Sequence, residues 1–173
     1  EKFVFVFIPG LKSEPIVDVN ELKMIGLKDK ITVGENIPVL LEKIEDILFK
    51  EEPNLVLVYG DTNSSLAGAL AASKMHIPLA HVEAGLRSFN MRMPEEINRI
   101  LTDHVSNFLF CPTLESVKNL KQEGLHDNVY HVGDIMYDCV KKFQPFFKLP
   151  EVNFSVNKPM ALLTLHRAET VNS

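Results

Sequence analysis

Leu55-Val56-Leu57-Val58-Tyr59 is an unbroken β-favouring run, and a strand apolar on both of its sides is expected to be covered on both. Gly60-Asp61-Thr62 turns the chain at once, and residues 63–74, NSSLAGALAASK, follow as a helix small enough in its side chains to lie close on a sheet. The same succession recurs along the chain. KFVFVFI at 2–8 reads as a buried strand ended by Pro9-Gly10, and 36–51 as a helix with Leu40, Leu41, Ile44, Ile47 and Leu48 on one face. Strands are predicted at 77–82, 107–111, 129–132 and 160–165. Between them, Pro94 opens a helix whose predicted apolar side is Ile97, Ile100, Leu101 and Val105. Thr113 caps a helix to Glu123 that Gly124 ends, and a further helix covers 134–142. From Leu11 to Val33 no period stands out. Strands alternating with helices predict an α/β fold, a Rossmann-like doubly wound parallel sheet.

The balance of 18 Lys and Arg against 23 Asp and Glu gives a net charge of −5, the wrong sign for nonspecific nucleic-acid binding. Cys111 and Cys139 make no CxxC and are too few for a disulfide framework, so two thiols in a reducing compartment are expected. No apolar run is long enough to span a bilayer, and Phe3–Ile8 is too short for the core of a leader peptide. The expected setting is the cytoplasm, with neither membrane nor nucleic acid as a partner.

Three clusters carry chemistry. Asp61 follows one predicted strand, Glu83 follows the next in His81-Val82-Glu83-Ala84-Gly85-Leu86-Arg87, and Glu95 sits on the first helical turn of Pro94-Glu95-Glu96-Ile97-Asn98-Arg99. In a parallel sheet these positions face one cleft, and acids converging there suit proton transfer. Plainer roles compete with that one. Asp61 or Thr62 would cap a helix, Glu83 would pair with Arg87, and Glu95–Arg99 and Arg99–Asp103 would be i,i+4 surface bridges. A metal held by His81, Glu83 and His104 or His166 lacks compact ligand spacing, so none is expected. The glycines do not form GxGxxG, which argues against a dinucleotide cofactor. Ser88–Met93 has the character of an active-site loop. His166-Arg167, directly after the last predicted strand, offers donors suited to a diphosphate.

Taken in order, GDTNSSLAGALAASKMHIPLAHVEAGLRSFNMRMPEEINRILTDH, Pro112-Thr113, Val132-Gly133-Asp134 and Leu165-His166-Arg167-Ala168-Glu169-Thr170 resemble the UDP-N-acetylglucosamine 2-epimerase family. The resemblance implies half of a glycosyltransferase-B-type fold. Residues 1–145 would be the N-terminal domain, 146–158 a linker, and 159–173 the first strand and loop of a second domain. It implies Asp61, Glu83, Glu95 and His166 as catalytic residues, and Arg99, Glu96, Arg87 and Arg167 as substrate contacts. It also implies a UDP-sugar substrate, no cofactor, a homodimer, and service in cell-surface polysaccharide synthesis.

The family chemistry expels UDP toward an oxocarbenium-like state at C1, which makes the C2 proton removable and yields a glycal. Hydrolysing and diacetamido-sugar members belong to the same group. The chain departs from the pattern at its start, where Pro9-Gly10-Leu11-Lys12 stands in place of a Gly-Thr-Arg-Pro-Glu type loop. With nearly all of the second domain absent, the 173 residues alone are expected to turn over little. A glycosyltransferase of the same architecture, or a non-catalytic half acting as an assembly module, are the competing functions.

Overall fold

The computed structural model describes the backbone of residues 3–6 and, in full, residues 37–148. The chain divides into two compact units, Glu1–Asp138 and Cys139–Ser173. The predicted strand at 160–165 and the loop at 9–15 lie outside the described residues, as do His166 and Arg167.

Ten elements alternate among the described residues: β1 (Phe3–Val6), α1 (Ile37–Glu51), β2 (Leu55–Tyr59), α2 (Asn63–Lys74), β3 (Leu79–Val82), α3 (Pro94–Val105), β4 (Phe108–Cys111), α4 (Leu114–Gln122), β5 (Val129–His131) and α5 (Ile135–Phe143), with a 3₁₀ turn at Gln144–Phe146. The strands form one parallel sheet in the order β1-β2-β3-β4-β5. Val58 stands beside His81 and Val82 beside Phe110, so the strand ends carrying Asp61, Glu83 and Pro112 are level with one another. This is the α/β, Rossmann-like class that the alternation of strand and helix predicts.

Helix α1 packs on α2 and α2 on α3. Leu40, Ile44, Ile47 and Leu48 of α1 meet Ala67, Ala69, Ala71 and Ala72 of α2, with Val56, Val58 and Leu79 of the sheet beneath. Alanines permit that close layer, and α2 is buried on most of its circumference. A smaller cluster of Ala84, Leu109, Cys111 and Leu120 holds α4 to the sheet. Thr62 and Thr113 cap α2 and α4, each accepting from the backbone N–H three residues on, at 3.4 and 3.1 Å. A cap of this kind contributes about 1 kcal/mol.

Two expectations change. In β2 only Val56 and Val58 are fully buried, while Leu55, Leu57 and Tyr59 on the other side are partly covered. In α3 the buried residues are Glu96, Asn98, Thr102 and Asp103, whereas Ile97 and Leu101 are 39% and 44% exposed. Ile100 and Val105 of the predicted side are partly buried, Val105 against the α1–α2 core, so apolar spacing meets the buried side of α3 only at its margin. The helix turns its polar side inward because ion pairs and hydrogen bonds wait for it there.

Candidate active site

At the carboxyl ends of β3, β4 and β5 an open cavity of about 210 Å³ is lined by Val82, Glu83, Phe110, Pro112, Val132, Gly133, Ile135 and Asp138. This is where a parallel α/β sheet places its ligands. Glu83 is the residue most shaped by its position. The strand's alternation stops at Val82, and Glu83 adopts φ +73°, the left-handed region that a residue with a Cβ enters at a cost of about 1–2 kcal/mol. Its Oε1 accepts a hydrogen bond from the Tyr59 hydroxyl at 3.1 Å. Its Oε2 lies so near Gly60 that a Cβ there would stand 3.5 Å away.

Partial burial raises the proton affinity of Glu83 above the usual 4.5, the Tyr59 hydrogen bond opposes it, and the charges of Asp61 and Asp134 add to the rise. The His81 ring, when charged, works the other way. A half-buried carboxyl that holds its proton more tightly than usual is suited to general acid–base work.

Asp61 is joined to α3. Arg99 Nη1 donates to its Oδ2 at 2.7 Å, and Asn98 Nδ2 donates to its carbonyl at 2.9 Å and to Asn63 Oδ1 at 3.1 Å. Arg99 also grips Glu96 Oε2 through Nη2 at 2.9 Å. With its side chain 33% exposed, Asp61 keeps an open side. Glu95, exposed on the first turn of α3, precedes Asn98 and Arg99 by three and four residues and so lies on the helix side that carries those contacts.

Glu96 and Arg87, expected as substrate contacts, are buried and held by partners within the fold. The Glu96 carboxylate is 1% exposed and accepts from the backbone N–H of Ser88 at 2.9 Å and of Phe89 at 2.8 Å. Burial alone would raise its pKa, but those N–H groups and Arg99 hold it below the ordinary value. The Arg87 side chain, 1% exposed, donates to Asp103 Oδ2 at 2.7 Å and to both oxygens of Glu123 at 2.6 and 2.7 Å. It does not pair with Glu83. Burial opposes its charge, and Glu123 with Asp103 keeps it firmly protonated. Nor does Arg99 pair with Glu95 or Asp103; its partners are Asp61 and Glu96.

His81 is fully buried, with Asp103 Oδ1 2.6 Å from Nδ1 and the Gly60 carbonyl 3.0 Å from Nε2. Both ring nitrogens are thereby engaged by the protein. Tyr59, Asn98 and Asp134 escape a reading of the sequence alone. Asp134 caps α5 by accepting from the N–H groups of Met136 at 2.8 Å and Tyr137 at 3.3 Å, and its charge bears on Glu83. Only its place in a Gly-Asp step before a helix hints at that.

Residues 8–173 match the family model described as UDP-N-acetylglucosamine 2-epimerase. A UDP-N-acetylglucosamine 2-epimerase homolog of Methanococcus maripaludis is 55% identical over 139 residues, which cover 77% of this chain and 39% of the relative. The UDP-2,3-diacetamido-2,3-dideoxy-D-glucuronate 2-epimerase of Pseudomonas aeruginosa is 54% identical over 144 residues, covering 82% and 40%. A solved Methanocaldococcus jannaschii UDP-GlcNAc 2-epimerase, in complex with UDP-GlcNAc and UDP, superposes with a TM-score of 0.63 at 50% identity, over 67% of this chain and 32% of that one. The chain thus spans about 40% of the length of these curated relatives. With the parallel sheet and the acid-lined crevice at its carboxyl edge, these matches place the chain in the UDP-N-acetylglucosamine 2-epimerase family.

Proposed function

We propose that this chain supplies the acid–base half of an enzyme that interconverts UDP-GlcNAc and UDP-ManNAc. The observation that carries the reading is the raised proton affinity of Glu83 at a strand end, beside Asp61 and above an open crevice. In the forward direction the C1–O bond breaks and its electron pair leaves with the diphosphate. A carboxylate takes the C2 proton, and the C–H pair becomes the C1=C2 bond of a glycal. Return of a proton to the opposite side of C2, with attack of the diphosphate oxygen on C1, completes the inversion.

Glu83 is our candidate for the group that exchanges the proton. Asp61, ion-paired to Arg99, supplies negative charge toward the cationic C1. Glu95, at the start of α3, is the candidate for the other side of C2. By resemblance His166 and Arg167 would meet the diphosphate. A homodimer and a role in cell-surface polysaccharide synthesis are implied by the same resemblance, and a cytoplasmic setting by the reading of the cysteines and apolar runs; sedimentation velocity checks the first.

The P. aeruginosa relative, at 54% identity, supports a second substrate, the diacetamido-glucuronate sugar. Incubation of each UDP-sugar in D2O with the protein that carries this chain tests both readings. Deuterium at C2 together with the epimer is expected for one of them. Unchanged sugar and no exchange in either case would refute the proposal.

A further inference from the structure

Beneath the two loops that carry Asp61 and Glu83 lies a pair the reaction above does not use. His81 of β3 and Asp103 of α3 have no exposed side-chain surface. The two oxygens of Asp103 face different segments. Oδ1 lies 2.6 Å from His81 Nδ1, while Oδ2 accepts from the Gly85 N–H at 3.1 Å and from Arg87 at 2.7 Å. On its other side the ring places Nε2 3.0 Å from the Gly60 carbonyl. Both atoms facing the ring are acceptors, and an imidazole with a single N–H can satisfy only one of them.

The geometry points to His81 and Asp103 as a positioning pair for the acid–base reaction: the ring, donating from both nitrogens, ties the peptide before Asp61 to the same carboxylate that ties the turn after Glu83. Neither residue touches substrate. The inference rests on the proposed function for its reaction, though not for its contacts. Two features separate this pair from ordinary core polarity. A buried ion pair is a poor route to stability, since replacing one by apolar groups is often neutral or better. This one also ties the chain at Gly60, next to Asp61, and at Gly85, two residues past Glu83, and a displacement of an acid by about 1 Å can cost about 100-fold in rate. In addition, the ring's charge lowers the proton affinity of Glu83, against burial and the charges of Asp61 and Asp134, while the Tyr59 hydroxyl acts in the same direction as the ring. Asp138 lines the same crevice as Glu83.

Substitutions that keep one contact each give the test. In H81N the amide nitrogen falls near the place of Nδ1, keeping Asp103 and releasing Gly60. In H81Q it falls near Nε2, keeping Gly60 and releasing Asp103. In the full-length protein kcat should fall by about 10- to 100-fold in H81N and by less in H81Q, with KM changed less than about threefold. The Glu83 carboxyl, followed by ¹³C NMR, should titrate at higher pH in both variants because each removes a positive charge. An H81N kcat no lower than that of H81Q, or an unmoved Glu83 titration, overturns the inference. Should both variants fail to fold, ¹⁵N NMR of the wild-type ring decides: two N–H signals at neutral pH are expected, and one bare nitrogen refutes the pair. A wild-type protein that epimerises no UDP-sugar refutes the proposed function instead, while the ring and Glu83 signals still judge the contacts.

Discussion

Glu96→Ala should cost this fold about 3–5 kcal/mol, the range for removing one partner of a buried ion pair. Its contacts show what is lost. The carboxylate satisfies the backbone N–H groups of Ser88 and Phe89, and it holds Arg99 by two donors at 2.9 and 3.2 Å. Each orphaned N–H costs about 1 kcal/mol where water can partly reach it, and a lost charged hydrogen bond about 1.5–3. Glu96→Gln keeps an acceptor for one N–H but turns an amide toward Arg99, so about half the loss is expected. Urea unfolding followed by far-UV circular dichroism, with unchanged m values, measures both variants.

The pH dependence has a definite sign. Because the folded pKa of Glu96 is lowered, its contribution is full above the unfolded value of about 4.5 and disappears as pH falls through the folded value. The gap between wild type and Glu96→Ala should therefore close in acid. A gap below about 1 kcal/mol at pH 7, or one that persists undiminished in acid after correction for other groups, would refute the assignment of Glu96 as the anchor of this loop.

Glu83→Gln should abolish C2 exchange while stabilising the fold at neutral pH. A carboxyl with a raised folded pKa gives stability that is present below 4.5 and lost as pH rises through the folded value, so the gain should vanish in acid; thermal melts at both ends check it. Gly85→Ala should destabilise by about 3 kcal/mol or more, since φ is +77° and the new Cβ would stand 2.4 Å from the Ser116 carbonyl oxygen, which soluble yield and urea unfolding would show. Iodoacetamide should label exposed Cys139 well before Cys111, because burial and the nearby Asp103 push the Cys111 thiol up to about 11 against the pull of Arg87; mass spectrometry of partial digests reads the order.

The residues that repeat by element are legible in the sequence. LVLVY, NSSLAGALAASK and Thr113 fall in the strand, helix and cap that their chemistry predicts, because local propensity and packing agree there. The reading falls short on α3, where only Ile100 and Val105 of the predicted side are partly buried. Ile97 and Leu101 mark a helical stripe, yet the inward side is Glu96, Asn98, Thr102 and Asp103. Hydrophobic spacing cannot foresee a helix whose buried partners are a guanidinium, a histidine and loop N–H groups supplied by other segments. Nor does anything near Arg87 in the sequence announce its partners Asp103 and Glu123. That Asp61 and Glu83 fall just past strands is legible because a strand end is a local feature.

Gly85 fits against the first turn of α4 with no room for a side chain, and its N–H is held by Asp103. The bend that presents Glu83 therefore has no hinge of its own. The stretch after Arg87 is held otherwise: one carboxylate, Glu96, clasps two successive amides, so loss of that single group would free both.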